Sequence, residues 1–583
     1  MVSTLLELSL EAASKTKIWK YRRRTLQGLP PVLANRLLKE ILEKGSLNMS
    51  YMEFEAFAAC VTEVFLDSFK VPVGPEWIKA LQYFRGLISV EIRNNRNLVD
   101  KNVEVLKPFA KKMSSIGFPF CTQLTGKIFK ELLVNCVNLQ ELNLSGTRAF
   151  SKHGATTHIG EMKSLRNLSL ESCGLKDSDC RFLTNLTNLS SLNLAGNKIT
   201  QLCITGLTKF QELTKLNISW THVHSIPDFR KLKELKMDVL VLKGGIVGEQ
   251  KCEIDCLEEL SVRNCTIVDN WNQIGDMLRC SGESLRRLDL HETPYVSILN
   301  LTTLKNITSL TLPKVATDSH LAQLSHMDSL KELALTDAQV TTEGLSKIKH
   351  LSKLEALVLT GSAVDDGCFD HISHLTALTR LELKGTKVSQ LPSNGKGPEA
   401  EVFDEAGSEN ICHLPNLVRL DLLDTDWQLK KGFGQYFGSV KILSLGGKHL
   451  EGRGLDHLLE LKNLEELHLE MKSIDRFDLK PLYKCTTLTS IRIVPAFAWL
   501  ENWTEVLGSL YSVLPHLKMA AWSKNRVPNP RATSTDGEEL SSQATIDERR
   551  RYSSKELLDL KGKTMDGSAW KDALPKLACL QGV

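Results

Sequence analysis

Leu165-Arg166-Asn167-Leu168-Ser169-Leu170-Glu171-Ser172-Cys173 carries the spacing that decides the fold of this chain: an apolar residue, two others, an apolar, one other, a third apolar, and a small or polar residue a few places on. Leu189-Leu192-Leu194-Asn197 and Leu213-Leu216-Ile218-Thr221 repeat it, as do Leu354-Leu357-Leu359-Ser362, Leu378-Leu381-Leu383-Thr386 and Leu464-Leu467-Leu469. Seventeen copies lie between Leu87 and Ile493, most of them starting 22 to 28 residues after the one before. In each copy the alternation predicts a short strand, and a turn and a helix-like stretch follow, as in Gly344 to Leu351. Neither half can bury its apolar side alone, so the units must stack strand on strand.

This is the leucine-rich-repeat spacing. It predicts an α/β fold: a leucine-rich-repeat solenoid (horseshoe) with a concave parallel sheet, a helical N-terminal cap and a flexible C-terminal tail. The expected domains are a helical leader over 1–57, the solenoid over 58–522 with an insertion at 393–410, and a tail over 523–583. Residues 58–138 carry degenerate copies, among them Leu87-Val90-Ile92-Asn95 and Met113-Ile116-Phe118-Cys121. Leu232-Leu235-Met237 starts only 19 residues after its predecessor, Val247 to Asp255 reads as a protruding loop, and Trp499 to Trp522 reads as a helix and a last strand.

A net charge of +4 with both signs interspersed gives no case for direct nucleic-acid or membrane binding. No apolar run approaches a membrane span, and Glu7 and Glu11 interrupt the first stretch where a signal peptide would be apolar, so the expectation is a soluble, cytoplasmic monomer. The 14 cysteines are scattered, and Cys173 and Cys265 fall on the inward small-polar position of the repeat, which reads as reduced core thiols. Cys252 and Cys256 have no second pair, and His371 and His374 have no third ligand in sight, so no metal or cofactor is expected. Sequons such as Asn143-Leu144-Ser145 arise from the strand pattern itself. No phosphate loop, His-Glu-x-x-His or Gly-x-Ser-x-Gly occurs, and Gly432-Phe433-Gly434 lacks dinucleotide spacing; the chain reads as a non-enzyme with no catalytic residues.

Residues between strand leucines should face outward from the concave sheet: Asn143, Ser169, Asn193, Asn217, Lys236, Asp289, Ala334, Val358, Glu382, Asp421, His468 and Arg492. Ala334, Ala356 and Val358 make a less polar patch among them.

The segment Arg549-Arg550-Arg551-Tyr552-Ser553-Ser554-Lys555-Glu556-Leu557-Leu558-Asp559-Leu560 points to a partner. Ser553 and Glu556 form a capping box, Tyr552 and Leu557 have hydrophobic-staple spacing, and Gly562 can end the helix, which gives an interaction helix over 552–562. About two turns do not persist alone in water, so such a helix folds on its partner or, alternatively, docks back on the last repeat through Leu557 and Leu560. Trp570, Leu574 and Leu577 offer a second apolar contact downstream.

Tyr552, Leu557 and Leu558 occupy the anchors of the Tyr-x-x-x-x-Leu-apolar motif, by which scaffold and repressor proteins grip translation initiation factor 4E, the messenger-cap-binding protein. A repeat body with this motif and a helical leader over 1–57 resembles the plant leucine-rich-repeat partners of the cap-binding protein typified by CERES. That resemblance implies a non-enzymatic regulator of translation initiation. It would bind initiation factor 4E or its plant isoform through Tyr552, Leu557 and Leu558, with Arg549, Arg550 and Arg551 on acidic surface, and take other initiation factors on the concave face.

The other end carries a competing resemblance. Thr4, Leu5, Ser9 and Ala13 resemble the box by which cullin-ligase receptors hold Elongin C, with Ser9 where that family has cysteine, and Leu29, Pro30, Leu33 and Leu37 match its cullin-selecting box. This alternative is a substrate adaptor that uses residues 1–42 to reach the ligase; the same residues also fit a plain capping helix.

Overall fold

The computed structural model describes residues 29–44, 54–147, 155–227, 229, 231–238, 240–243, 254–268, 273–293, 301–390, 414–429, 432–447, 452–471, 479–495, 503–522 and 525–527. The chain divides into two compact units at residues 245 and 246.

In the first unit, eight strands run parallel in chain order from Glu63–Asp67 through Ser89–Arg93, Ser115–Gly117 and Glu141–Asn143 to Glu234–Lys236. The register sets equivalent leucines side by side, with Leu142 opposite Leu168, Leu168 opposite Leu192, and Leu192 opposite Leu216. Each is at most 2% exposed, and its two strand neighbours face outward. In the second unit eleven parallel strands run from Glu259–Ser261 to Met519–Trp522, and a final antiparallel strand, Asn525–Val527, folds back on the last. Leu310, Leu333, Leu357 and Leu381 form its interior row, and Leu357 and Leu467 are buried as the spacing predicts. The strands Glu63–Asp67 and Met519–Trp522 extend the array past the seventeen copies read from the sequence.

Repeat-to-repeat bonds explain why the units stack. Beyond many of the strands the chain turns through a left-handed residue, and its N–H donates to a carbonyl of the next repeat at Gly146, to Glu171 at 2.7 Å, and at Gly196, to Ser219 at 2.9 Å. Asn94, Phe120, Ser172 and Trp220 take the same left-handed place with side chains, whereas at Gly146 a Cβ would stand 2.6 Å from the Phe120 ring. The following small-polar side chain turns inward. Asn197 donates to the carbonyls of Leu170 at 2.7 Å and Leu194 at 2.9 Å and accepts from the N–H groups of Cys173 and Leu175. Cys173 donates to the Leu144 carbonyl at 3.1 Å, and burial pushes its thiol up to about 12. A carboxylate staple recurs on the convex side: Asp177 accepts from the Thr200 N–H at 2.8 Å and hydroxyl at 2.7 Å, and Asp318 does the same for Thr341.

The convex side departs from the expected row of helices. Asp177–Asn185 and Gly452–Glu460 are 3-10 helices, and Thr342–Leu345 is a single α turn. A nine-residue 3-10 segment spans about 18 Å where an α-helix spans about 14 Å, so short repeats can reach back to the next strand this way. The repeat at Leu232 is shorter still: 19 residues separate paired Lys215 and Glu234, and no helix is found among the described residues between Ser219 and Lys233. Its convex side is an extended segment closed by Ile226 and Phe229.

At the start of the first unit, helix Pro31–Lys44 lies on the outer edge of strand Glu63–Asp67. Asn35 accepts from the Thr62 N–H at 3.0 Å and donates to its hydroxyl at 3.0 Å, and Leu37, Leu38, Ile41 and Leu42 are buried. Leu29-Pro30 opens this helix as the sequence suggests, with the Pro30 carbonyl accepting from Leu33 and Ala34. In the second unit Phe369, Trp427, Phe433 and Phe437 fill the convex interior next to the residues that flank 391–413; Trp427 stands edge-on to the other three rings, 5.7 to 6.4 Å away. The loops expected at 247–255 and 393–410 fall outside the described residues, except 254 and 255.

Candidate interaction surface

The concave face is built by the period of two along each strand. In the first unit the position after each strand leucine is an amide or hydroxyl from Asn143 to Asn217, and Glu91 and Arg93 pair on an earlier strand. Asn143, Asn193 and Asn217 each accept from the N–H two residues on, at 3.1 Å, which fixes the side chain across the strand end. Ser145 and Ser169 share a hydrogen bond at 2.8 Å, Asn167 donates to Glu141 at 2.8 Å, and Lys215 pairs with Glu234 at 2.7 Å. Lys236 meets the same Glu234 carboxylate at 3.3 Å.

In the second unit that position carries charge at Asp289, Glu382, Asp421 and Arg492. Asp289 accepts from His291 N–H and Asp421 from Leu423 N–H, both at 3.0 Å, and Arg263 lies 3.4 Å from Asp289. The densest cluster spans adjacent strands, where Arg380 is in register with Arg419 and Glu382 with Asp421. Arg380 donates to one oxygen of Glu382 through Nε at 2.8 Å and Nη2 at 2.6 Å, and Arg419 approaches that oxygen to 4.0 Å. Burial pushes the Asp421 carboxyl above its ordinary range and Glu382 adds to the effect, against the Leu423 N–H, Lys384 and Arg419. Glu382 is 15% exposed on its side chain and the two arginines nearly half, so the cations stand proud of the anion that holds them. Beside them Ala334 is in register with Val358 and Ala356 with Arg380, which places the less polar patch against the arginine pair. His468 lies 3.6 Å from Glu470 on the same face.

This arrangement is suited to binding: ordered ion pairs, amides and a small apolar strip on a rigid sheet. Among the described residues no group of three or more His, Cys, Asp or Glu is placed to hold a metal ion, and no helix is long and apolar enough to cross a membrane. His371 and His374 sit at the end of helix Cys368–Ile372, His374 exposed. Gly432, at φ +94°, starts helix Phe433–Phe437, and its N–H donates to the Glu460 carboxylate at 3.0 Å, a structural role. Most described cysteines are buried, with Cys256 half-buried and Cys280 exposed at the end of helix Gln273–Cys280.

All twelve concave positions read from the sequence lie on described strands. Arg380 and Arg419 were not among them; they sit two residues before Glu382 and Asp421, and the strand period would have found them. The tail anchors Tyr552, Leu557 and Leu558, with Arg549, Arg550 and Arg551, lie outside the described residues, as do Thr4, Leu5, Ser9 and Ala13. Of the second box, Pro30 is exposed, Leu29 and Leu33 are half-buried, and Leu37 is 5% exposed on the buried face of its helix.

No family model and no curated relative matches the sequence. Among solved structures the chain is similar to a leucine-rich-repeat protein of Leptospira interrogans, at 15% identity over 82% of this chain and 97% of that one, with a TM-score of 0.41. It is also similar to the ectodomain of the Arabidopsis receptor kinase HAESA in complex with a peptide hormone, at 18% identity over 74% and 73% with a TM-score of 0.37. An internalin of Listeria monocytogenes follows at 16% identity over 66% and 93%, with a TM-score of 0.32. The strand register, the left-handed turns and the inward polar ladder identify each unit as a leucine-rich-repeat solenoid.

Proposed function

We propose that this chain is a non-enzymatic scaffold in translation initiation, which grips the messenger-cap-binding protein, initiation factor 4E or its isoform, through its tail. The observation that carries the reading is Tyr552-x4-Leu557-Leu558 inside a capping box and next to Arg549-Arg550-Arg551. The repeat body supports it, since a long ordered sheet face with fixed charges suits a second partner while the tail holds the first. On this reading the tail folds as it binds, its apolar stripe entering a groove and its arginines lying on acidic surface.

Substituting Tyr552→Ala and Leu557→Ala together should abolish the complex, each anchor contributing about 2 kcal/mol or more, because a few anchors carry most of such an interface. Pull-down on cap resin reads the loss directly, and a peptide spanning Arg549 to Gly562 should compete. Unaltered affinity of the double variant refutes the motif. Elongin C binding that depends on Leu5 and Ala13 would then favour the adaptor reading.

A further inference from the structure

The lower edge of the first unit, where each convex segment returns to its strand, differs from the rest of the surface described above. The residue two before each repeat's first leucine-type position is Arg85, Lys111, Val137 and Lys163 in four successive repeats. All four are exposed. No carboxylate pairs with Arg85, Lys111 or Lys112 among the described residues, and Glu161, the exposed acid nearest in sequence to Lys163, faces His158 at 3.6 Å. Val137, between Lys111 and Lys163 in this row, is 69% exposed, and Tyr83 and Ile88, close to Arg85 in the chain, are 51% and 37% exposed. The edge is also stiff. Asn138 donates to the Lys111 carbonyl at 3.0 Å, Ser114 to that of Ile88 at 3.2 Å, and Ser164 to that of Val137 at 3.2 Å. Successive repeats therefore hold these side chains at about the 4.8 Å spacing of adjacent strands.

We propose that this edge is a docking surface for an acidic amphipathic segment of a partner protein, which seats apolar residues on Tyr83, Ile88 and Val137 and sets carboxylates against Arg85, Lys111 and Lys112. Charge complementarity argues for the acid, since three unpaired cations on a rigid ridge lower the energy of carboxylates placed beside them. The aliphatic side chains argue for a peptide. Tyr83 is the one ring among these three side chains and Ile88 and Val137 offer none, whereas single-stranded nucleic acid stacks successive bases on successive rings, and membrane-surface anchoring draws on Trp, Phe and Leu along a helix face. The inference is independent of the tail motif.

The test uses the full chain with Arg549, Arg550 and Arg551 changed to serine, so that the tail cannot bind acid. The probe is a fluorescein-labelled peptide with leucine and phenylalanine at helical spacing and glutamate elsewhere, followed by anisotropy. Binding should fall at least tenfold with Lys111→Glu plus Lys112→Glu, and several-fold with Val137→Asp, while the urea unfolding midpoint stays in place because these side chains are exposed. A probe with serine in place of its apolar residues should also bind at least tenfold more weakly. Failure of the probe to bind, or binding unchanged by the substitutions, overturns the proposal. So does tighter binding of poly-uridylate RNA or phosphatidylserine vesicles that the same substitutions abolish.

Discussion

Asn193 in the first unit and Asp421 in the second occupy the same place in the repeat and make the same bond, each accepting from the N–H two residues on. Their surroundings differ. The amide also donates to the Glu171 carboxylate at 3.1 Å, whereas Asp421 brings a charge of its own that Arg419 and Lys384 only partly offset and that Glu382 opposes. The lower edge shows the same freedom: Arg85, Lys111, Val137 and Lys163 in one unit stand where Glu283, Lys305, Asp328 and Ser352 stand in the other, with Lys305 paired to Glu283 at 2.8 Å. The repeat fixes what each position does for the backbone, and leaves the sign and chemistry of the exposed side chain open. The position after a strand leucine can thus hold an amide in one unit and a carboxylate in the other.

The comparison makes its strongest demand on the interior, which should be the same in both. Leu192→Ala and Leu357→Ala should each cost about 3 kcal/mol, because both leucines are at most 1% exposed in equivalent rows and their removal leaves a cavity. Urea denaturation followed by circular dichroism measures both, and a cost under about 1 kcal/mol for either would break the claim that the interiors are equivalent.

The polar ladder should separate repeats moderately. Asn197 donates to three carbonyls and accepts from two N–H groups in its own and the preceding repeat, whereas Thr386 donates once, to Leu383 at 2.6 Å. Asn197→Ala should cost about 2 to 3 kcal/mol and Thr386→Val about 1 kcal/mol, since each buried group left unpaired adds its own desolvation penalty. Equal costs would mean that the ladder bonds are interchangeable.

The smallest effect is the one that tests the charged face. The folded Asp421 carboxyl titrates above its unfolded value of 3.8, so the folded chain holds that proton more tightly. Stability therefore falls as pH rises from 3.8 through the folded value, and the cost persists at neutral pH. Asp421→Asn keeps the acceptor for Leu423 and reproduces the chemistry of the first unit. It should raise the melting temperature at pH 7, with the gain disappearing below pH 3.8. A loss of stability at pH 7 would show that Arg419 and Lys384 outweigh burial.

Much of the site was legible because the strand period is short and strict. Leucines at every second place named the buried row, and the residues between them named the concave row from Asn143 to Arg492. The convex side was less legible, since an apolar pattern over nine residues fits an α-helix or a 3-10 helix, and only the span to the next strand selects between them at Asp177–Asn185. The same limit applied to Leu37, whose place in a box and on a buried helix face are one and the same spacing.

The sequence by itself determined the repeat, its stacking and its inward polar position, because these follow from one residue's neighbours three to eight places away. Only the tertiary structure decided which groups from repeats more than twenty residues apart meet: Arg380 with Arg419 around Glu382, the Asp177 carboxylate with Thr200, and the Asn138 amide with the Lys111 carbonyl. Register between strands is set by where each convex segment ends. That length varies from repeat to repeat, so lateral neighbours, and with them the charge and chemistry of each face, emerge when the units stack.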